Sequence, residues 1–223
     1  MRAAIFDLDG TLVDSAPDIH AAANAALAAQ GLGAITHAQT VEFLGDGSEV
    51  FVTRMMAALD LPENDTLHAH LYRSFIATYE TTFTFTGPFA EVGATLRGLA
   101  DAGWVLGLCT NKPTAPTRAL LDHFGLARHF SVIVCGDTLP RRKPDPAPLL
   151  HAVRDLGAES AVYVGDSEVD ARTASGAALP FVLFTRGYRN LPVAQIAHDA
   201  AFDDFAALPA HLDALVRMGR RAT

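Results

Sequence analysis

From residue 104 onward, short apolar runs alternate with segments of helical periodicity, and no other feature limits the fold so strongly. The runs cover 104–109, 131–135, 161–165 and 181–184, and helices are expected near 89–101, 114–124, 146–156, 168–176 and 205–217. The runs show no polar alternation, so both of their faces must be covered. That combination predicts an α/β fold with a doubly wound parallel sheet. Residues 3–6, Ala-Ala-Ile-Phe, form a first run of the same kind and belong to the same sheet.

Between the first run and residue 83 the texture differs. Ser15, Pro17 and Asp18 carry a helix-start signal, with Ser15 expected as the cap and Asp18 returning the hydrogen bond; Gly31 ends that Ala-rich helix. Thr36 and Gln39 repeat the capping pattern. Val50, Phe51, Met55 and Leu59, then Leu67, Leu71, Phe75 and Tyr79, recur at helical spacing. Residues 16–82 therefore read as four helices without a strand, a small helical cap inserted after strand one. The core comprises 1–15 and 83–223, with Asp14-Ser15 and Thr86-Gly87-Pro88 as the hinges.

A formal net charge of -8 leaves no basic field for phosphate polymers or anionic membranes, so no nucleic-acid or membrane partner is expected. Cys109 and Cys135 read as reduced thiols, which suits a cytoplasmic protein, and no stretch has the length of a signal core or a membrane span. The 9 histidines are scattered and none reads as a metal ligand. The basic tail Met218-Gly219-Arg220-Arg221 is expected to be frayed, and its residues point to no particular role.

In open parallel sheets the site lies at the C-terminal ends of the strands. There this chain places Asp7 and Asp9 after the first strand, Thr110-Asn111 after the next, Lys143-Pro144-Asp145-Pro146 beyond the third, and Gly165-Asp166-Ser167 with Asp170 after the fourth. Acids, a hydroxyl-amide pair and a cation converge, as phosphoryl transfer to a carboxylate requires. Asp7 and Asp166 offer the oxygen ligands that Mg²⁺ prefers, and Asp170, four residues on, is expected to orient metal-bound water. Lys143, Thr110 and the amides near Asn111 are the expected phosphate donors, with a proximal Mg²⁺ and Lys143 favouring an ionised Asp7. Asp9 is the carboxyl for proton transfer, first as acid and then as base.

Asp7-Leu8-Asp9-Gly10-Thr11-Leu12-Val13-Asp14-Ser15, Cys109-Thr110-Asn111-Lys112, Lys143-Pro144-Asp145-Pro146 and Gly165-Asp166-Ser167-Glu168-Val169-Asp170 resemble the four ordered motifs of the haloacid dehalogenase-like phosphatase superfamily. Together with Cys135-Gly136-Asp137-Thr138-Leu139-Pro140, they resemble more narrowly the bacterial phosphoglycolate phosphatases. The resemblance implies Asp7 as nucleophile, Asp9 as acid/base, and Mg²⁺ on the carboxylates of Asp7 and Asp166 and the backbone carbonyl of Asp9. It implies a Mg²⁺-dependent enzyme, monomer or homodimer, acting on a small phosphorylated organic acid such as 2-phosphoglycolate. A sugar-phosphate phosphatase or phosphomutase uses the same core. A non-enzymatic phospho-receiver places its phosphorylated Asp on a later strand and has no helical insertion.

The loop Gly45-Asp46-Gly47-Ser48 is expected to face the substrate, and Arg54 is a candidate partner for a substrate carboxylate. Asp137 is expected to support the site, and Asp145 to orient the backbone near Lys143 or cap the next helix. The stretch Arg186-Gly187-Tyr188-Arg189 reads as a turn with surface charge, contact with the cap being the alternative.

Overall fold

The computed structural model describes residues 1–79 and 82–219; Arg220 and Arg221 of the basic tail lie outside them. Six strands form one parallel sheet: β1 (Arg2–Phe6), β4 (Val105–Cys109), β5 (Val132–Val134), β6 (Ser160–Gly165), β7 (Phe181–Phe184) and β8 (Ala200–Phe202). Their order is β5-β4-β1-β6-β7-β8, which places β1 centrally. The chain leaves β1 toward β4 and β5 and then crosses to β6 on the other side. The ends of β1, β4 and β6 therefore enclose the switch point where such sheets hold their sites.

The first run divides its side chains between two cores, as alternation on a pleated strand requires. Ala4 and Phe6 join one cluster with Leu96, Leu99 and Leu212, from α5 (Val92–Asp101) and α9 (Leu208–Gly219). Ala3 and Ile5 join the other with Leu149 and Ala174, from α7 (Ala147–Asp155) and α8 (Glu168–Gly176). Both faces are covered, which is why the run carries no polar residue. The eighth strand was not expected, because Ala200–Phe202 is too short to show a period.

Four helices, α1 (Ala16–Ala28), α2 (His37–Phe43), α3 (Ser48–Ala58) and α4 (Asp65–Tyr79), follow β1. Their apolar faces form a third cluster drawn from residues 19–79, with Phe51, Phe75 and Tyr79 stacked in series. Thr36 and Gln39 make the expected reciprocal cap of α2. The start of α1 departs from expectation. Ser15 makes no cap, and its hydroxyl instead donates to Asp9 at 2.6 Å. Asp18 is buried and accepts the backbone N–H groups of Phe85 and Thr86 at 3.0 and 2.7 Å, tying α1 to the returning chain. Its carboxylate has more to gain there, because two amides at the crossing have no other acceptor in the sheet.

A two-stranded antiparallel ribbon joins the helical block to the sheet, with β2 (Val13–Asp14) paired to β3 (Gly87–Pro88). Both crossings expected as hinges thus lie side by side. Asp18→Ala should leave the amides of Phe85 and Thr86 without an acceptor and cost about 2 kcal/mol of stability, read as a lower urea midpoint of unfolding.

Candidate active site

The turn after β1 is built on one carbonyl. Leu8 O accepts the N–H groups of Thr11, Leu12 and Val13, which curls the chain and turns Asp7 and Asp9 into a common cavity. Gly10 is required in that curl: it sits at φ +82°, and a Cβ there would come within 2.4 Å of Asp166 Oδ2.

Each acid of the pair has its own lysine. Lys143 Nζ lies 2.9 Å from Asp7 Oδ1 and 2.7 Å from Asp170 Oδ1, and donates to the Tyr163 hydroxyl at 3.0 Å. Lys112 Nζ lies 3.1 and 3.3 Å from the two oxygens of Asp9, with the Tyr79 ring centroid 3.7 Å away. The Ser15 hydroxyl and, at 3.5 Å, that of Tyr79 also reach Asp9. Asp166 is oriented by Thr11 Oγ1 at 2.6 Å and by the backbone N–H of Tyr188 at 2.5 Å.

Burial dominates the electrostatics. It pushes Asp7 up to about 7, with Lys143 acting in the opposite direction. The expectation of an ionised Asp7 rests on Mg²⁺ together with Lys143; Lys143 alone does not offset burial, because Asp170 takes part of the same ammonium. Burial likewise raises Asp166 well above the carboxylate range. Burial opposes ionisation of Asp170 too, but Lys143 and the bonds from Lys143, Ser167 and Tyr163 outweigh it and lower its pKa. Burial lowers Lys112, against the pull of Asp9.

The oxygens of Asp7, Asp166 and Asp170 lie within 4.8 Å of one another. Asp7 Oδ1 is buried and accepts no hydrogen bond, Lys143 being close but out of alignment. Among the described residues, four carboxylates (Asp7, Asp9, Asp166 and Asp170) meet two ammonium groups (Lys112 and Lys143). An all-oxygen donor set with an orphaned oxygen and excess negative charge fits a hard divalent cation.

Several expected roles change. Asp170 does not turn an oxygen toward water: Oδ1 accepts from Lys143 and Tyr163, and Oδ2 from the N–H groups of Asp166 and Ser167 and the Ser167 hydroxyl. It holds the loop that carries Asp166. The Asn111 side chain is also fully engaged, donating to Gly45 O at 2.8 Å and Lys143 O at 2.9 Å and accepting Lys143 N. Its side chain brackets the helical block to the sheet, which leaves the expected donation to the backbone amides there; Thr110 and Asn111 both line the cavity.

Gly45, Gly47 and Ser48 line the same cavity, with Ile19, Leu44, Phe51, Phe75 and Tyr79 behind them. Asp46 and Arg54 do not, because they pair with each other, and Arg54 also donates to Phe43 O. The cavity measures about 60 Å³, room for a few water-sized groups. Asp137 accepts the N–H and hydroxyl of Thr114, at the start of α6 (Thr114–His123), and neither residue lines the cavity. Asp145 accepts Ala147 N at the start of α7, the capping role foreseen for it.

Sequence reasoning missed Lys112, Tyr163 and Tyr188. Lys112 stands next to Thr110-Asn111 and Tyr163 is the one hydroxyl within the apolar run 161–165, so both had a signal. Tyr188 had none. It stands in a loop read as surface charge, yet it lines the cavity, and its hydroxyl accepts Ala16 N and donates to Asp14 at the crossing. Asn190, beside it, donates to Glu42 O of α2, so this loop touches the helical block.

Comparison with known proteins is consistent with this geometry. The model for the haloacid dehalogenase-like hydrolases matches residues 4–184. The chain is 48% identical to a phosphoglycolate phosphatase of Cereibacter sphaeroides (strain ATCC 17029 / ATH 2.4.9), over 94% of this chain and 96% of that one. It is 40% identical to a phosphoglycolate phosphatase of Rhodobacter capsulatus, covering 93% and 94%. The crystal structure of a predicted phosphoglycolate phosphatase from Haemophilus somnus 129pt superposes with a TM-score of 0.89 at 32% identity, covering 94% and 96%.

Removing the charge of Asp170 should expose how much the site depends on it. Asp170→Asn deprives the buried Lys143 ammonium of its closest carboxylate and should cost about 3 kcal/mol, measured by chemical denaturation.

Proposed function

The chain belongs to the haloacid dehalogenase-like hydrolase family, and from that premise we propose that it is a phosphatase hydrolysing 2-phosphoglycolate to glycolate and phosphate. The observation that carries this reading is the pair of unlike acids facing one small cavity, Asp7 with an orphaned buried oxygen and Asp9 held by separate partners. Its relatives named phosphoglycolate phosphatases support the choice of substrate.

Asp7 attacks phosphorus and becomes an aspartyl-phosphate, while Asp9 gives its proton to the departing alkoxide. Asp9 then takes a proton from the water that hydrolyses the intermediate. Thr110 donates to phosphoryl oxygens. Lys143 donates to Tyr163 and Asp170 and lies 2.9 Å from Asp7, where its charge offsets that of the transferred phosphoryl group. Asp7, Asp166 and the backbone carbonyl of Asp9 would hold Mg²⁺, which supplies charge neutralisation of the phosphoryl group. The helical block, residues 16–82, acts as a cap over the core formed by 1–15 and 83–223. Its apolar wall excludes water from the first transfer, and its movement on the paired crossings admits water for the second. A cytoplasmic setting suits the two buried free thiols.

Phosphate release from a panel of monoesters tests the reading. With Mg²⁺, 2-phosphoglycolate should exceed hexose phosphates in kcat/KM, EDTA should abolish turnover, and Asp7→Asn should lower kcat by at least about 10⁴-fold without loss of fold. A hexose phosphate turned over faster would replace the substrate assignment.

Stability against pH tests the metal site independently of turnover. Asp7 is raised from 3.8 to about 7 in the folded protein. Between these values the native state binds more protons than the unfolded chain, so metal-free stability falls as pH rises through that window. Mg²⁺ displaces those protons and relieves the same repulsion. The Tm increase on adding Mg²⁺ should therefore be larger near about pH 8 than near about pH 5.

A further inference from the structure

We propose that Lys112 is the residue that selects the substrate, by pairing with a carboxylate on the leaving group one carbon from the ester oxygen. This inference rests on the phosphatase reading above and deepens it. Among the described residues, Lys112 is the only cationic side chain lining the cavity. Arg54, the candidate that sequence offered for this task, is turned away and held by Asp46 and Phe43 O.

The position of Lys112 follows from its contacts. Nζ lies 3.1 and 3.3 Å from the two oxygens of Asp9. The ester oxygen that Asp9 protonates must itself sit within hydrogen-bond reach, about 2.6–3.2 Å, of that carboxylate. Ammonium and ester oxygen are thus neighbours across one carboxylate, and a second carboxylate one carbon along the leaving group comes into ion-pair reach of Nζ. A neutral group there, or a longer chain that carries its charge elsewhere, does not.

The surroundings make this pairing selective. The Lys112 side chain is 1% exposed, and Ile19, Leu44, Phe51 and Phe75 form an apolar wall on the same cavity. A charge pair formed there is weakly screened, and an ammonium left short of a partner is costly. Tyr79, from the end of α4, holds Nζ over its ring at 3.7 Å from the helical block, while Lys112 itself follows β4. Cation and cap are therefore in register when the substrate is enclosed.

The test is a cycle between enzyme charge and substrate charge. Phosphate release is measured for wild type and Lys112→Met, each with 2-phosphoglycolate and with 2-phosphoglycolamide, in which a neutral amide replaces the carboxylate. Within each enzyme the ratio of kcat/KM values cancels whatever Asp9 loses with its lysine partner. Wild type should prefer the acid by about 100-fold, and in Lys112→Met the preference should fall to within about 3-fold, with KM for the acid rising. An unchanged preference in Lys112→Met overturns the inference and leaves the phosphoglycolate reading intact. A wild type that does not discriminate acid from amide overturns the substrate reading, and this inference with it. Should Lys112→Met not fold, Tyr79→Leu keeps the ammonium but removes its ring. It should reduce the preference by about 3- to 10-fold, and a full wild-type preference in that variant overturns the inference.

Discussion

The site depends on the ammonium of Lys143, buried where the ends of β1, β4 and β6 meet. Taking that charge out of water is tolerable only because Asp170 and Asp7 lie 2.7 and 2.9 Å away and Tyr163 offers its hydroxyl. Each partner comes from a different element. The ion cluster therefore forms only when β1, β6 and the loop beyond β5 are all in register, and it aligns Asp7 for its chemistry. Asp170 does double duty, since its second oxygen also gathers the amides of the loop that presents Asp166.

The second constraint is charge that remains unbalanced. Two lysines do not neutralise four carboxylates, and burial holds Asp7 and Asp166 toward protonation. A fold optimised for stability alone would not keep these acids together. Their repulsion is relieved by what the site binds, which couples occupancy of the site to the stability of the sheet around it.

Among the described residues, polar contacts bridge the opening of the cavity: Asn111 to Gly45, Asn190 to Glu42, Arg142 to Glu49, and Tyr79 to Lys112 and Asp9. The apolar cluster of the helical block is its own, drawn from residues 19–79. An interface of polar bridges over two separate cores can part and close without exposing either core. Tyr188 stands at the base of this arrangement, linking Asp166 to the crossing at Asp14 and Ala16.

Much of this was legible in the sequence, because strands and helices announce themselves by local periodicity and the acids of the cavity stand where the apolar runs stop. The parallel sheet, the four-helix insertion and the gathering of Asp7, Asp9, Thr110, Lys143 and Asp166 required only that reasoning. Partnerships were not legible, since they join residues far apart in the chain and depend on which side chain reaches a given donor first. Ser15 looked like a helix cap and serves Asp9; Asp18 looked like its mate and binds the returning strand; Arg54 looked free and is held by Asp46. Lys112 lay in plain sight beside Thr110 and Asn111. Only tertiary structure could bring it to Asp9 and Tyr79, because whether a lysine is a solvated charge or a buried, directed one is decided by burial, which no local pattern encodes.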